Sequence, residues 1–177
     1  SWREIKTYKN WALVVSDGSG PHGIQFLDLT RLRSIKTFPA KFEPDYTYKR
    51  VNSVHDIVVN EESGMAYAVG SGAGGETCGG GLHMIDIKDP KNPQFLGCFA
   101  DAQTGRANTG YTHDAQCVIY KGPDEQYKGR EICMSSNETM LSIQDVTDKK
   151  APKVVSRAGY PKVGYTLQGW FDDEHRY

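Results

Sequence analysis

The stretch SVHDIVVN, from Ser53 to Asn60, provides the frame on which the rest of the chain can be aligned. In it, the polar pair His55-Asp56 opens an apolar run. Related frames stand at SWREIKTY (1–8), YTHDAQCV (111–118) and YTLQGWFD (165–172). The spacing between copies is roughly fifty to sixty residues, and self-similarity at such a period is typical of repeat proteins.

Each copy is followed by further short apolar stretches that are separated by turn residues. The second strands expected from this pattern are WALVVSD, MAYAVGS and REICMSS, and the third are GIQFLDLT, LHMIDIKDP and LSIQDVTDK. The fourth are SIKTFPA (34–40), PQFLGCFA (93–100) and PKVVSRAG (152–159). Four short strands in each unit of about 50 residues are typical of propeller blades. The sequence therefore predicts an all-β chain, a β-propeller of four-stranded antiparallel blades.

The repeat divides the chain into about three and a half blades. We expect blades at residues 1–45, 46–103 and 104–160, with the first strand of a next blade at 161–177. This number of blades cannot close a ring of about seven. The sequence also starts at Ser1 without an initiator Met. We therefore expect an incomplete ring and a chain that is part of a longer one.

An Asp ends each expected third strand: Asp28, Asp86 and Asp145. A carboxylate at this position can accept hydrogen bonds from the backbone N–H groups of the following turn. We expect this structural role rather than calcium binding, because no EF-hand spacing is present.

The composition excludes several classes of function. The formal net charge is -1 over 177 residues, so there is no basic surface typical of nucleic-acid binding. No apolar run reaches the roughly 20 residues of a transmembrane helix. The run GSGAGGETCGGG (70–81) lacks the Gly-Lys-Ser/Thr of a phosphate-binding loop, so we expect a hairpin loop there.

The four cysteines favour two disulfides and an oxidising compartment. Cys117 and Cys133 lie at equal distances from the turn near Glu125, so antiparallel pairing can set them opposite each other. Cys78 lies in the glycine-rich loop, which can fold over Cys98. We predict the disulfides Cys117–Cys133 and Cys78–Cys98; the alternative is four buried thiols.

The two His-Asp pairs are the candidate functional residues. Since successive residues of a strand point to opposite faces, the His and Asp of one pair face apart, and each meets its counterpart in the adjacent blade. In one interpretation Asp56 and Asp114 tie adjacent blades by hydrogen bonds, and the histidines pack as half-buried side chains. In the other, His55, His113, Asp56 and Asp114 bind a metal ion such as zinc, copper or iron, or a small polar ligand, at the mouth of the channel. The tripeptide Asn137-Glu138-Thr139 also matches a glycosylation acceptor.

Several stretches resemble the LVIVD-repeat β-propellers, and more closely the choice-of-anchor B family of surface proteins. They are SWREIKTYKNWALVVSD, HGIQFLDLTRLR, VNEESGMAYAVG, CGGGLHMIDIKDPKNPQFLGCFADA, YTHDAQCVIYKGP and GREIC. The resemblance implies a secreted or surface-exposed propeller and carries no defined reaction. The chain departs from the family at Leu167, where the family usually has His.

The sequence favours an extracellular, secreted or cell-surface propeller that acts as a binding scaffold rather than an enzyme. Its expected partners are the remaining blades of a longer chain or other surface proteins. The alternative is a metal-dependent enzyme or metal-binding protein with its His/Asp site at the channel mouth. An enzyme would need three ligands and an open position on one metal ion, whereas a scaffold needs satisfied polar pairs.

Overall fold

The described part of the chain folds into three antiparallel sheets of four strands each. The computed structural model describes residues 2–18 and 20–176; Ser1, where the first copy of the repeat begins, and Ser19 and Tyr177 lie outside the described residues. In every sheet the strands are hydrogen-bonded in chain order, so each sheet is a simple meander. The expectation of an all-β chain built from four-stranded units is confirmed.

The strands have the following bounds. The first sheet contains β1 (Arg3–Tyr8), β2 (Trp11–Ser16), β3 (Ile24–Asp28) and β4 (Tyr46–Tyr48). The second contains β5 (Asp56–Asn60), β6 (Met65–Val69), β7 (Leu82–Asp86) and β8 (Gln94–Phe99). The third contains β9 (Asp114–Ile119), β10 (Glu131–Ser136), β11 (Leu141–Asp145) and β12 (Lys153–Ala158). Short 3-10 turns occur at Leu29–Ser34 and Cys78–Gly80, and none of the helical segments described is long and apolar enough to cross a membrane.

The burial of β6 and β10 shows that the second and third sheets are covered on both faces at these strands. Every residue of β6 and of β10 is buried. A strand that faced water on one side would instead alternate between buried and exposed residues. β5 contacts both β1 and β9, so the first strands of the three sheets lie next to one another.

Two apolar clusters fill the spaces between the sheets. One joins side chains of the first and second sheets, among them Phe26, Ile24 and Ile57. The other joins side chains of the second and third sheets, among them Tyr67 and Cys133. The second sheet is therefore packed between the other two.

Two expected strands are absent from the positions that the sequence predicted. Residues 34–40 are not a strand, and β4 lies further on, at Tyr46–Tyr48, so the first sheet extends to Tyr48. Ser34 ends a 3-10 turn and Pro39 has no N–H to donate, so this segment is a poor partner for β3. Residues 165–172 form a single bridge, between Thr166 and Glu138, instead of a strand.

The predicted role of the third-strand aspartates is confirmed. The Asp28 carboxylate accepts a hydrogen bond from the Thr30 N–H at 2.9 Å. Asp86 accepts from the Lys88 N–H at 2.9 Å, and Asp145 accepts from the Thr147 N–H at 3.0 Å. Each carboxylate thus fixes the turn that leaves its strand.

The outer strand pairs of the second and third sheets carry an irregularity at the same place. The register between β7 and β8 shifts between Met84 and Ile85, and that between β11 and β12 shifts between Ile143 and Gln144. In each case the outer strand contains one extra residue, as in a β-bulge. The shift falls two residues before the aspartate-bearing end of the third strand in both sheets.

Candidate functional site at the junction of the second and third sheets

Two histidines meet where the second and third sheets touch. His55 directly precedes β5 and His113 directly precedes β9, and these two strands are in contact. The Nε2 atoms of the two rings are 2.9 Å apart, and the ring centroids are 4.3 Å apart. The repeat frame had predicted that these residues stand at equivalent places in adjacent units.

The other nitrogen of each ring is held by an oxygen atom. His55 Nδ1 lies 3.0 Å from the Asp17 carboxylate, and His113 Nδ1 lies 3.0 Å from the Leu167 carbonyl oxygen. Because a carboxylate and a carbonyl only accept, both Nδ1 atoms carry hydrogen and donate it. In a neutral ring the lone pair is then on Nε2.

Aromatic side chains surround the histidine pair. The Trp2 ring centroid lies 6.4 Å from that of His55, and Tyr165 packs edge-on against His113 at 5.5 Å.

A Cβ atom at Gly70 would lie 2.5 Å from the Cβ of His55. Gly70 also has φ +62°, so glycine is required there both for space and for conformation. Burial, and secondly the nearby His55, lower the pKa of His113.

The two aspartates form a separate pair between the same strands. Asp56 and Asp114 are both buried, and each accepts a hydrogen bond from the N–H of the following residue, at 2.6 Å and 2.7 Å respectively. Burial, a hydrogen bond with Asp114 and the charge of Asp114 raise the pKa of Asp56 to about 8. Lys6 Nζ lies 4.0 Å from Asp56 Oδ1 and acts against this rise of the pKa. A protonated Asp56 can donate a hydrogen bond to Asp114 and so connect β5 with β9.

The four candidate residues thus come together as two pairs and not as one cluster. In the described part of the chain, the side chains that bring three potential ligand atoms within 4.8 Å of one another are Glu76, Cys78 and Cys98. Their two sulfur atoms are bonded to each other, so this group offers no thiolate to a metal ion. The alternation of strand residues, which had separated His from Asp in the sequence, explains the division.

Both predicted disulfides are present. Cys117 and Cys133 are direct partners in the register of β9 and β10, with Cα atoms 4.0 Å apart. Cys78 is bonded to Cys98, with Cα atoms 5.2 Å apart, which ties the glycine-rich loop to β8. No free cysteine remains among the residues described.

The sequence had not indicated Asp17 or the carbonyl of Leu167 as parts of the site. Asp17 follows β2 and reaches the second sheet, where it also accepts a hydrogen bond from Ser53 at 3.0 Å. The residues at the equivalent position, directly after β6 and after β10, are not acidic. The repeat pattern therefore did not indicate a role for Asp17. Leu167 contributes to the site through its backbone carbonyl, and a sequence pattern of side chains gives no information about such a contact.

The glycosylation motif lies inside the fold. Asn137 is 1% exposed, and its Nδ2 donates to the carbonyls of Gly110 and Tyr111 and to the Thr112 hydroxyl. The nitrogen that would carry a glycan is thus already used to hold the loop before β9.

Comparison of the sequence with protein-family models gives no match. Comparison with curated proteins gives none either.

Proposed function

We propose that this chain is part of a β-propeller that serves as an extracellular or cell-surface binding scaffold, without chemistry of its own. The observation that carries the proposal is the contact of β5 with both β1 and β9. The first strands lie side by side, and the remaining strands of each sheet follow in chain order away from them. A propeller likewise places the first strands of its blades side by side, with the later strands further out.

Two further features support an extracellular location and membership of the LVIVD-repeat or choice-of-anchor B propellers. The two disulfides suit an oxidising compartment. The residues that resemble those families extend through all three sheets. The partners expected for such a scaffold are further blades of a longer chain, or other surface proteins.

The polar pairs between the sheets support a scaffold because they connect neighbouring sheets. The Nδ1 atoms of His55 and His113 donate to Asp17 and to the Leu167 carbonyl, and the two Nε2 atoms face each other across the junction. Asp56 and Asp114 each accept a hydrogen bond from the backbone N–H of the following residue. Contacts of this kind orient neighbouring sheets.

Spin-label distances test the radial arrangement. The native cysteines are paired, so Cys substitutions can be labelled selectively. One double variant, Thr7→Cys with Val118→Cys, labels the first strands of the first and third sheets. The other, Thr47→Cys with Ser156→Cys, labels their last strands. A propeller places the second pair of labels much further apart than the first, by about a factor of two or more. Equal separations would mean stacked, parallel layers and would refute the proposal.

Photo-cross-linking tests the scaffold function. A photoreactive amino acid at Trp2, which is 70% exposed beside His55, should give a discrete adduct with a surface protein on intact source cells. The matched control carries the same amino acid at Phe38, which is 82% exposed in a loop of the first sheet. Adducts from both positions alike, or from neither, would contradict a binding face at this end of the sheets.

A further inference from the structure

We propose that His55 and His113 together bind one transition-metal ion, such as Zn²⁺ or Cu²⁺, through their Nε2 atoms. The proposal goes beyond the scaffold function and does not depend on it. It also differs from the four-residue site that the sequence left open as an alternative, because Asp56 and Asp114 are not ligands.

The argument starts from the direction of the lone pairs. Both Nδ1 atoms donate to oxygen acceptors, so two neutral rings would point two Nε2 lone pairs at each other over 2.9 Å. Two acceptors at this distance repel unless a cation lies between them. A proton on one ring can fill this role, and so can a metal ion that both nitrogens ligate.

The observed spacing is close to what a metal ion needs. Zn–N bonds of about 2.0–2.1 Å in tetrahedral geometry place two ligating nitrogens about 3.3 Å apart. The two nitrogens would have to separate by about 0.4 Å, and the rings would have to turn so that both lone pairs point at the ion. Both histidines precede their strands, so this movement need not disturb the hydrogen bonds within β5 or β9.

The contacts behind the rings are those that metal-binding histidines usually make. A histidine ligand normally donates its second N–H to a carboxylate or a backbone carbonyl, which fixes the ring and its tautomer. Asp17 provides the carboxylate for His55, and Leu167 provides the carbonyl for His113. The Asp17 side chain is in turn held by Ser53 at 3.0 Å. Both rings are thus oriented before any ion arrives.

The ligand types decide which ions fit. Imidazole nitrogen suits zinc, copper, nickel and iron, whereas calcium and magnesium require oxygen ligands. Two protein ligands leave further positions on the ion for water or an exogenous anion. We therefore expect an exchangeable ion with a Kd of about 1–100 µM at pH 7.5, and tighter binding of Cu²⁺ than of Zn²⁺.

Isothermal titration of the untagged protein with Zn²⁺ or Cu²⁺ alone tests the site. We expect one ion per chain, and at least about a tenfold loss of affinity in His55→Asn and in His113→Asn. Asp17→Asn, which keeps both ligands but removes the carboxylate behind His55, should weaken binding by about tenfold. His22→Asn is the matched control, because His22 is half-buried in the loop before β3 and bonds to the Gly23 carbonyl. It should leave the affinity unchanged.

Thermal unfolding of each variant without metal establishes that it is folded. If a histidine variant unfolds, the wild-type protein still gives an answer: substoichiometric Cu²⁺ should broaden the ring NMR signals of His55 and His113 before those of His22 and His175. The proposal is wrong if no saturable binding occurs up to about 1 mM metal, if the double variant His55→Asn/His113→Asn binds as the wild type does, or if Cu²⁺ broadens other histidines first.

Discussion

The two junctions between sheets are built differently, although both join copies of the same repeat. Between the first and second sheets the contact is mainly aliphatic and aromatic, with Phe26, Ile24 and Ile57 fully buried. Polar contacts also cross it, between Tyr48 and His83 at 2.8 Å and between Asp17 and His55 at 3.0 Å. Between the second and third sheets the apolar cluster is accompanied by titratable groups: the half-buried histidine pair, the buried aspartate pair and the buried Glu131.

The difference means that the two junctions should respond to different conditions. An apolar junction is sensitive to cavities and insensitive to salt and to most changes of pH. A junction with buried ionisable groups depends on their protonation and fails when one partner of a pair is removed. We expect mutations and pH to separate the two junctions in the following ways, in order of decreasing effect.

The largest effect is expected from a cavity in the first junction. Phe26→Ala should lower the free energy of unfolding by about 3–5 kcal/mol, because Phe26 is fully buried among side chains of two sheets. Chemical denaturation measures this loss. Phe38→Ala, at a position 82% exposed, is the control and should change stability by less than about 0.5 kcal/mol. A loss below about 1 kcal/mol for Phe26→Ala would mean that this core is loosely packed.

The second junction should be most sensitive at Glu131. One of its oxygens accepts hydrogen bonds from Asn60 and Ser63 of the second sheet, both at 2.6 Å, and the other contacts Lys149 at 2.7 Å. Glu131→Gln would leave the largely buried Lys149 ammonium with the Val146 carbonyl and an amide in place of its carboxylate partner, so we expect a loss of about 3 kcal/mol in urea unfolding.

The matched control for Glu131 is Glu62→Gln. Glu62 also joins the second and third sheets, through Lys121 at 2.8 Å, but both side chains are more than half exposed. Exposed pairs contribute little, so the control should lose less than about 1 kcal/mol. Similar losses in both variants would contradict the buried character of the Glu131 network.

The aspartate pair should make the second junction weaker at alkaline pH. The pKa of Asp56 is about 8 in the fold, above its value in the unfolded chain. At pH values between the pKa in the unfolded chain and the pKa in the fold, unfolding therefore releases a proton. The free energy of unfolding falls as the pH rises through this range towards 8. The side-chain amide of Asp56→Asn can donate a hydrogen bond to Asp114 at any pH. This variant should therefore be more stable than the wild type at pH 9 by on the order of 2 kcal/mol. Melting curves in EDTA from pH 5 to 9 measure the difference, with the exposed Glu61→Gln as control. An unchanged slope with pH in Asp56→Asn would show that the two carboxyls do not share a proton.

The smallest effect is expected at the first junction, and it has the opposite sign. Burial lowers the pKa of His83, and the charge of Arg50 acts in the same direction. The backbone carbonyl and the carboxylate of Glu76 act in the opposite direction. As the pH falls, His83 is therefore protonated in the unfolded chain before it is protonated in the fold. The free energy of unfolding falls as the pH drops below about 6.5. His83→Gln, which can still accept from Tyr48, should flatten the acid side of the stability curve. His22→Asn should not. A steeper acid slope in His83→Gln would show that the fold stabilises a charged His83.

Much of this architecture could be predicted from the sequence because the repeat reports local patterns. The second and third strands of every sheet, the aspartate turns and the cysteine pairs follow from apolar runs, turn residues and register. The strand expected at 34–40 was wrong because β4 contains only three residues, too few to show alternation, whereas the segment near Pro39 resembled a strand in composition. The strand expected at 165–172 was wrong because Thr166 bonds to a loop residue and the Phe171 N–H to a side chain, that of Gln116.

At the candidate site, the sequence predicted which residues meet but not what holds them. The frame placed His55 and His113 in equivalent positions, and strand alternation separated them from the aspartates. The contacts of Asp17 and of the Leu167 carbonyl depend on how two loops fold back onto the histidines. Such contacts are set by tertiary structure and leave no periodic signal.

The irregular pairing of β8 and β12 has a consequence for the behaviour of the protein at high concentration. The last strand of a sheet presents unpaired N–H and C=O groups, which can recruit a strand from another molecule. An extra residue in β8 and in β12 bends these edges and breaks their hydrogen-bonding pattern. The corresponding edge of the first sheet, β4, is only three residues long. All three outer edges are therefore poor templates for intermolecular sheet growth, which protects a chain rich in strands from aggregating through them.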